Sequence, residues 1–107
     1  DDELFMPGFV ADDCNWSAID SLEAEVERTG SGLTCTAKIR YNGQATPAVL
    51  TSGDLPDRVE GNFTTPQRAV TPGQAAVFYG GEGEDAGQVV LGGGTIERAI
   101  LPQLQTV

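Results

Sequence analysis

The chain has no histidine and only two cysteines in 107 residues. Cys14 and Cys35 are far apart, with no Cys-x-x-Cys pair and no imidazole to complete a ligand set. A zinc site of the usual nitrogen and sulfur donors is therefore excluded. A single disulfide is open to two cysteines, but two reduced, buried thiols of a cytoplasmic protein are the plainer expectation. No base flanks either thiol, so nucleophilic catalysis has no support. Long apolar runs are also missing. Nothing approaches the roughly 20 residues that span a bilayer, and the acidic N-terminus does not resemble a signal peptide, so a soluble chain without membrane contact is expected. The opening on Asp1 suits a domain excised from a longer protein.

Bases are scarce: six against sixteen acids, for a net charge of −10. That balance is hostile to nucleic acid until the acids are located. Residues 1–27 hold nine acids and no base, and the remaining seven acids and all six bases leave residues 28–107 at net −1. The acidity belongs to the leading segment, expected to be a solvated, irregular arm over residues 1–14, with a barrel domain over 15–107. At this length a single small domain buries roughly 65% of the surface its unfolded chain would expose.

What is present is a series of short strands divided by turn residues. Thr34 to Tyr41 alternates, with Cys35, Ala37, Ile39 and Tyr41 on one face and Thr36, Lys38 and Arg40 on the other. Asn42-Gly43 is a hairpin signal, and Ala45 to Thr51 returns as a strand in which Pro47 indicates an edge or a bulge. Arg58 to Phe63 alternates again, followed by Gln67 to Val70, Ala75 to Tyr79, Gln88 to Leu91 and Thr95 to Leu101. This spacing predicts an all-β fold, a small antiparallel β-barrel whose closure leaves no long edge. Ser17 to Arg28 fits a helix capped at Ser17, yet Leu22, Ala24 and Val26 also alternate as in a strand; both readings stay open. Trp16, the sole tryptophan, is expected to plug an end of the core.

Few residues suggest a site. Pro72-Gly73 suits the centre of a type II turn, and Gln74 after it carries an amide able to bond a base or a phosphate. Lys38 and Arg40 share a strand face that Arg68 joins if its strand lies near, a modest phosphate-contacting patch or simply a balance for surface carboxylates. Gly92-Gly93-Gly94 lacks the Lys-Ser/Thr of a P-loop and fits a bulge or a close approach of strands. Glu82 and Glu84, or Asp12 and Asp13, stand in segments with no evident cleft to tune a pair of carboxylates for hydrolysis. No catalytic residue and no metal ligand is assigned.

The runs AKIRY (37–41), PQRAVTPGQAAVFY (66–79) and VLGGGTI (90–96), with Asn15-Trp16 ahead of them, resemble the C-terminal domain of bacterial tRNA-specific 2-thiouridylase. The resemblance implies a β-barrel that helps hold tRNA while an N-terminal domain uses ATP to adenylate the wobble uridine and a persulfide-bearing cysteine delivers sulfur. This chain has neither the nucleotide loop nor the cysteine pair, so the fragment is expected to be no enzyme and to hold no cofactor, ATP belonging to the parent. The implied RNA contacts are Arg40, Tyr41 and Gln74, with Lys38 and Arg68 as weaker candidates. The implied partners are tRNA, the enzyme's own catalytic and central domains, and a sulfur-donor protein. Two departures stand out: Asn42-Gly43 replaces a basic pair, and the Gly80 to Gly87 loop is longer than the family's Gly-Glu hairpin. The alternative is an interaction barrel that docks the catalytic domain or a sulfur-relay partner without touching RNA.

Overall fold

The computed structural model describes residues 5–39, 45–53, 57–68, 70–80 and 87–101. Among these residues six strands, β1 (Met6–Trp16), β2 (Leu33–Lys38), β3 (Thr46–Ser52), β4 (Val59–Gln67), β5 (Ala75–Gly80) and β6 (Val89–Ile100), surround the core, with one helix, α1 (Leu22–Thr29), between β1 and β2. All pairings are antiparallel and the sheet closes in the order β1-β4-β3-β2-β5-β6. The barrel expectation is met.

Period-two alternation builds the wall. Cys35, Ala37 and Ile39 point inward from the β2 segment, Ala48 and Leu50 from β3, and Val59, Gly61 and Phe63 from β4, while Glu60 and Asn62 face water. Phe9, Phe63, Phe78 and Trp16 form the aromatic centre. The Phe9 ring lies 5.4 Å from Phe63 and 6.1 Å from Phe78, and Trp16 stacks on Phe78 at 5.7 Å. Pro47 pairs only with Thr36 of β2, because the β4 register of β3 begins at Ala48. Its missing N–H therefore falls on a stretch bonded from one side.

The leading acidic segment is not an irregular arm from Met6 onward. Residues 6–16 form β1, which pairs with β4 and β6, so a boundary at residue 14 falls inside a barrel strand; residues 1–4 lie outside the described residues. The acids are accommodated by an irregularity. Against β6 the register shifts between Asp12 and Asn15, and Asp13 takes a φ of 53°. The extra residue turns Cys14 inward while Asp13 stays exposed, and the Cys14 N–H donates to the carbonyl of Asp57 at 3.0 Å.

Helix wins over strand after Trp16. Leu22 is buried and Val26 packs partly against the same core, an i,i+4 pair on one helix face, whereas Ala24 is exposed, which strand alternation would forbid. The cap is Ser21, not Ser17: its Oγ accepts from Ala24 N at 3.0 Å. Ser17 Oγ instead donates to the carbonyl of Val90 at 3.2 Å, fixing the exit of β1 against β6.

Gln67 ends β4, and Arg68 and Val70 belong to no strand, while Ala69 of the expected Gln67 to Val70 strand lies outside the described residues; β6 is one twelve-residue strand that runs through the three glycines. The close-approach reading of that triplet holds: a Cβ on any of the three would come within 3.0 Å of the neighbouring strands β1 or β5.

Candidate nucleic-acid interface

Registers fix which connections share a barrel end. Met6 pairs with Gln67, Ala37 with Thr46, and Ala75 with Thr95. The start of β1, the end of β2 and the β4–β5 turn therefore emerge together, and α1 and the β3–β4 turn lie at the other end.

The β4–β5 turn is held from three sides. Gln74 N–H donates to the carbonyl of Thr71 at 3.3 Å, and Gly73 has a φ of 91°, as the third position of a type II turn requires. Gly73 N–H then donates to the carbonyl of Ile96 at 2.8 Å, and Ile96 N–H donates to that of Gln74 at 2.7 Å. The turn is thus stitched to β6. The Gln74 side chain folds back, its Oε1 accepting from Thr71 N at 3.2 Å. Its Nε2 has no partner among the described residues, so it offers donors only.

Lys38 ends β2 opposite Val77, on the outer face with Thr34 and Thr36, and forms no ion pair among the described residues. It stands near the same barrel end as Gln74. Arg68 does not extend a common strand face with Lys38, since β3 separates β4 from β2. Its guanidinium lies 5.8 Å from the ring centroid of Phe5, an exposed cation–π contact at the start of β1. Arg40, Tyr41 and the Asn42-Gly43 pair lie outside the described residues, as does the loop over 81–86.

A second cluster of cations was not singled out in the sequence. Arg58 and Arg98, with Val10, Ser52, Gly53 and Glu60, line a groove of about 400 Å³ on the outer wall. Val10 pairs with Glu60 on one side and Arg98 on the other. The β1–β6 register skips Glu97, and this bulge brings its Oε1 to 3.5 Å from Arg58 Nη1. Alternation shows Arg58 and Glu60 facing out; only the bulge and the closure of β6 onto β1 reveal what meets them.

Cys14 and Cys35 are both free and buried. Burial pushes each thiol up to about 12, and for Cys14 the carboxylates of Asp57, Asp12 and Asp13 push the same way. Neither is a nucleophile at neutral pH. Alkylation by iodoacetamide at pH 8 is expected to be slow in the folded chain and fast in denaturant. The folded state keeps both protons up to about pH 12, while the unfolded chain loses them near 9. Stability is therefore full below pH 9 and falls as pH rises above it, which a denaturant midpoint measured from pH 8 to 11 will show.

Among the described residues no group of three or more Cys, Asp or Glu is placed to hold a metal ion, and no helix is long and apolar enough to cross a membrane. A closed antiparallel barrel with a Thr-Pro-Gly-Gln turn stitched to a glycine-rich last strand defines a known class, and residues 7–96 match the family model of the aminomethyltransferase beta-barrel domain. The chain belongs to that family. Its relatives include the tRNA-specific 2-thiouridylases MnmA of Rhodopirellula baltica, 45% identical over 92% of this chain, of Solibacter usitatus, 46% over 90%, and of Alkalilimnicola ehrlichii, 51% over 88%. The match covers 22%, 23% and 22% of those proteins, their C-terminal part, so the chain spans between a fifth and a quarter of the length of these curated relatives.

Proposed function

We propose that this barrel is a tRNA-positioning domain, and that a catalytic portion of a longer 2-thiouridylase carries out ATP-dependent thiolation of the wobble uridine on the tRNA it holds. Arg40, Tyr41 and Gln74 are the proposed contacts, with Lys38 as an outer phosphate contact. Arg68 has the weaker claim, since its guanidinium already lies over Phe5.

The observation that carries this reading is charge segregation along the barrel axis. Asp20, Glu23, Glu25 and Glu27 lie after β1 and in α1, toward the end where β1 finishes, whereas Asp12 pairs with Thr95, the register partner of Ala75. Gln74 and Lys38 stand toward the opposite end, away from the carboxylates of α1. The carboxylates after β1 and in α1 therefore do not argue against RNA contact there. A glutamine that uses its carbonyl internally and keeps its NH2 outward can donate to a phosphate oxygen, a base edge or a ribose hydroxyl.

The test is tRNA binding by a full-length 2-thiouridylase carrying this barrel. Gln74→Ala is expected to weaken affinity roughly 3- to 10-fold, the equivalent of one hydrogen bond. Arg40→Ala is expected to weaken it and to lower the slope of log K against log salt by about 0.7–0.9. Unchanged affinity in both variants, with the fold intact, would return these residues to a structural role and leave the docking alternative.

A further inference from the structure

The outer-wall groove holds two opposite charges that do not meet. Glu60 on β4 and Arg98 on β6 are both register partners of Val10, on the same outward face, yet neither forms an ion pair among the described residues. Adjacent strands lie about 4.8 Å apart, so the two backbones are separated by about 10 Å across β1. Val10 lies between them, 3% exposed although it faces away from the barrel interior, so neighbouring side chains cover it. Arg58 closes one side, engaged with Glu97, and Ser52 and Gly53 close the top.

This is a slot with an acceptor wall and a donor wall. A carboxylate presents two acceptor oxygens and no donor; a guanidinium presents a fork of donors and no acceptor. A simple phosphate satisfies Arg98 but faces the Glu60 carboxylate, and Glu97 already offsets Arg58. A ligand that satisfies both walls carries donors on one edge and acceptors on another, paired on each edge to match the two oxygens and the guanidinium fork. Among nucleobases guanine alone has this pattern: N1–H and N2–H2 match a carboxylate, and O6 and N7 match an arginine fork. Cytosine offers the carboxylate one donor group, uracil one N–H between two acceptors, and adenine one amino group beside its acceptors.

We propose that the Glu60–Arg98 groove is a binding site for an unstacked guanine base of RNA, separate from the Gln74 end. Glu60 accepts from its Watson–Crick edge, Arg98 donates to its O6/N7 edge, and the apolar stems over Val10 meet the ring. The proposal rests on the reading of the domain as an RNA contact, since RNA would present the base.

The test uses this 107-residue chain with nucleoside monophosphates as probes. Amide and arginine Nε–H resonances are followed by NMR during titration with GMP, CMP, AMP and UMP at constant ionic strength, and with inorganic phosphate. GMP is expected to shift Val10, Glu60 and Arg98 saturably, with CMP weaker and AMP and UMP at least ten-fold weaker. Glu60→Gln is expected to remove the preference for GMP, and Arg98→Gln to weaken GMP at least five-fold, while Thr34→Ala, exposed on the outer face of β2, changes nothing. Amide spectra away from the groove report that each variant is folded. Equal shifts with all four nucleotides or with phosphate alone, or no shift at the groove, overturn the proposal. These outcomes are independent of the Arg40 and Gln74 test: GMP binding with unchanged tRNA affinity in those variants leaves the groove standing and removes the other interface.

Discussion

Phe78→Ala is expected to destabilise the barrel by about 3–5 kcal/mol, enough to leave a domain of this size partly unfolded at 37 °C. Phe78 is fully buried and is, among the described residues, the one ring that touches both Phe9 and Trp16. Its removal forfeits the transfer free energy of a phenyl group and opens a cavity against a closed wall. Two ring pairs are lost as well, each worth about 0.5–1.5 kcal/mol beyond its buried area. At roughly 4–8 °C per kcal/mol, the melting temperature should fall by more than about 12 °C. Trp16 is the only tryptophan, so its emission reports directly on the stack, and a red shift in the folded variant is expected. Phe78→Leu refills most of the volume and should recover much of the loss. A change below about 1 kcal/mol for the alanine variant would mean that the aromatic centre is not what holds the wall closed.

The strand that carries Phe78, Ala75 to Tyr79, was legible in the sequence, and so was most of the wall. Wherever one face is buried and the other wet, as in Thr34 to Ile39 or Val59 to Phe63, period two is the direct signature of the pleat, and the structure follows it. What was not legible is where the period breaks. In β1 the break at Asp12-Asp13 puts Phe9 and Ala11 on one parity and Cys14 on the other, so the strand hides behind its own acids. In β6 the glycines carry no side chain to display alternation, and one long strand reads as two short ones. The helix was ambiguous because eight residues yield few periods, and only the exposure of Ala24 against the burial of Leu22 separates the two readings.

The candidate site divides along the same line. Gln74 was visible because Pro72-Gly73 dictates a turn locally. That its carbonyl bonds back to Thr71 N, leaving a donor outward, depends on a side-chain rotamer that no sequence pattern encodes. Arg68 reads as a third cation of the Lys38 patch, but strand order decides its neighbours, and order is a long-range property. The Glu60–Arg98 pair is the extreme case, since its members are thirty-eight positions apart and meet the same face only because β1 inserts between β4 and β6.

Gly92→Val is expected to cost about 2–3 kcal/mol or more, at a position inside a strand where no turn is made. Gly92 pairs with Trp16, and a Cβ there would meet the carbonyl oxygen of Asn15 and the Trp16 ring at closer than 3.0 Å. A backbone oxygen cannot swing aside as a side chain does, so β1 itself must move. β1 and β6 are the first and last strands, and their pairing is the seam that closes the sheet into a barrel. The substitution therefore acts on closure, and hydrogen exchange should quicken first along β1 and β6 while the amides paired between β3 and β4 stay protected. Val90→Ala, two residues away but 48% exposed, is the control and should stay within about 0.5 kcal/mol of the parent. A phosphate cradle would behave differently: its loss would spare stability and appear only in ligand binding. If Gly92→Val keeps the parent's denaturation midpoint and exchange pattern, the close approach is not a packing requirement, and the glycines would call for another explanation.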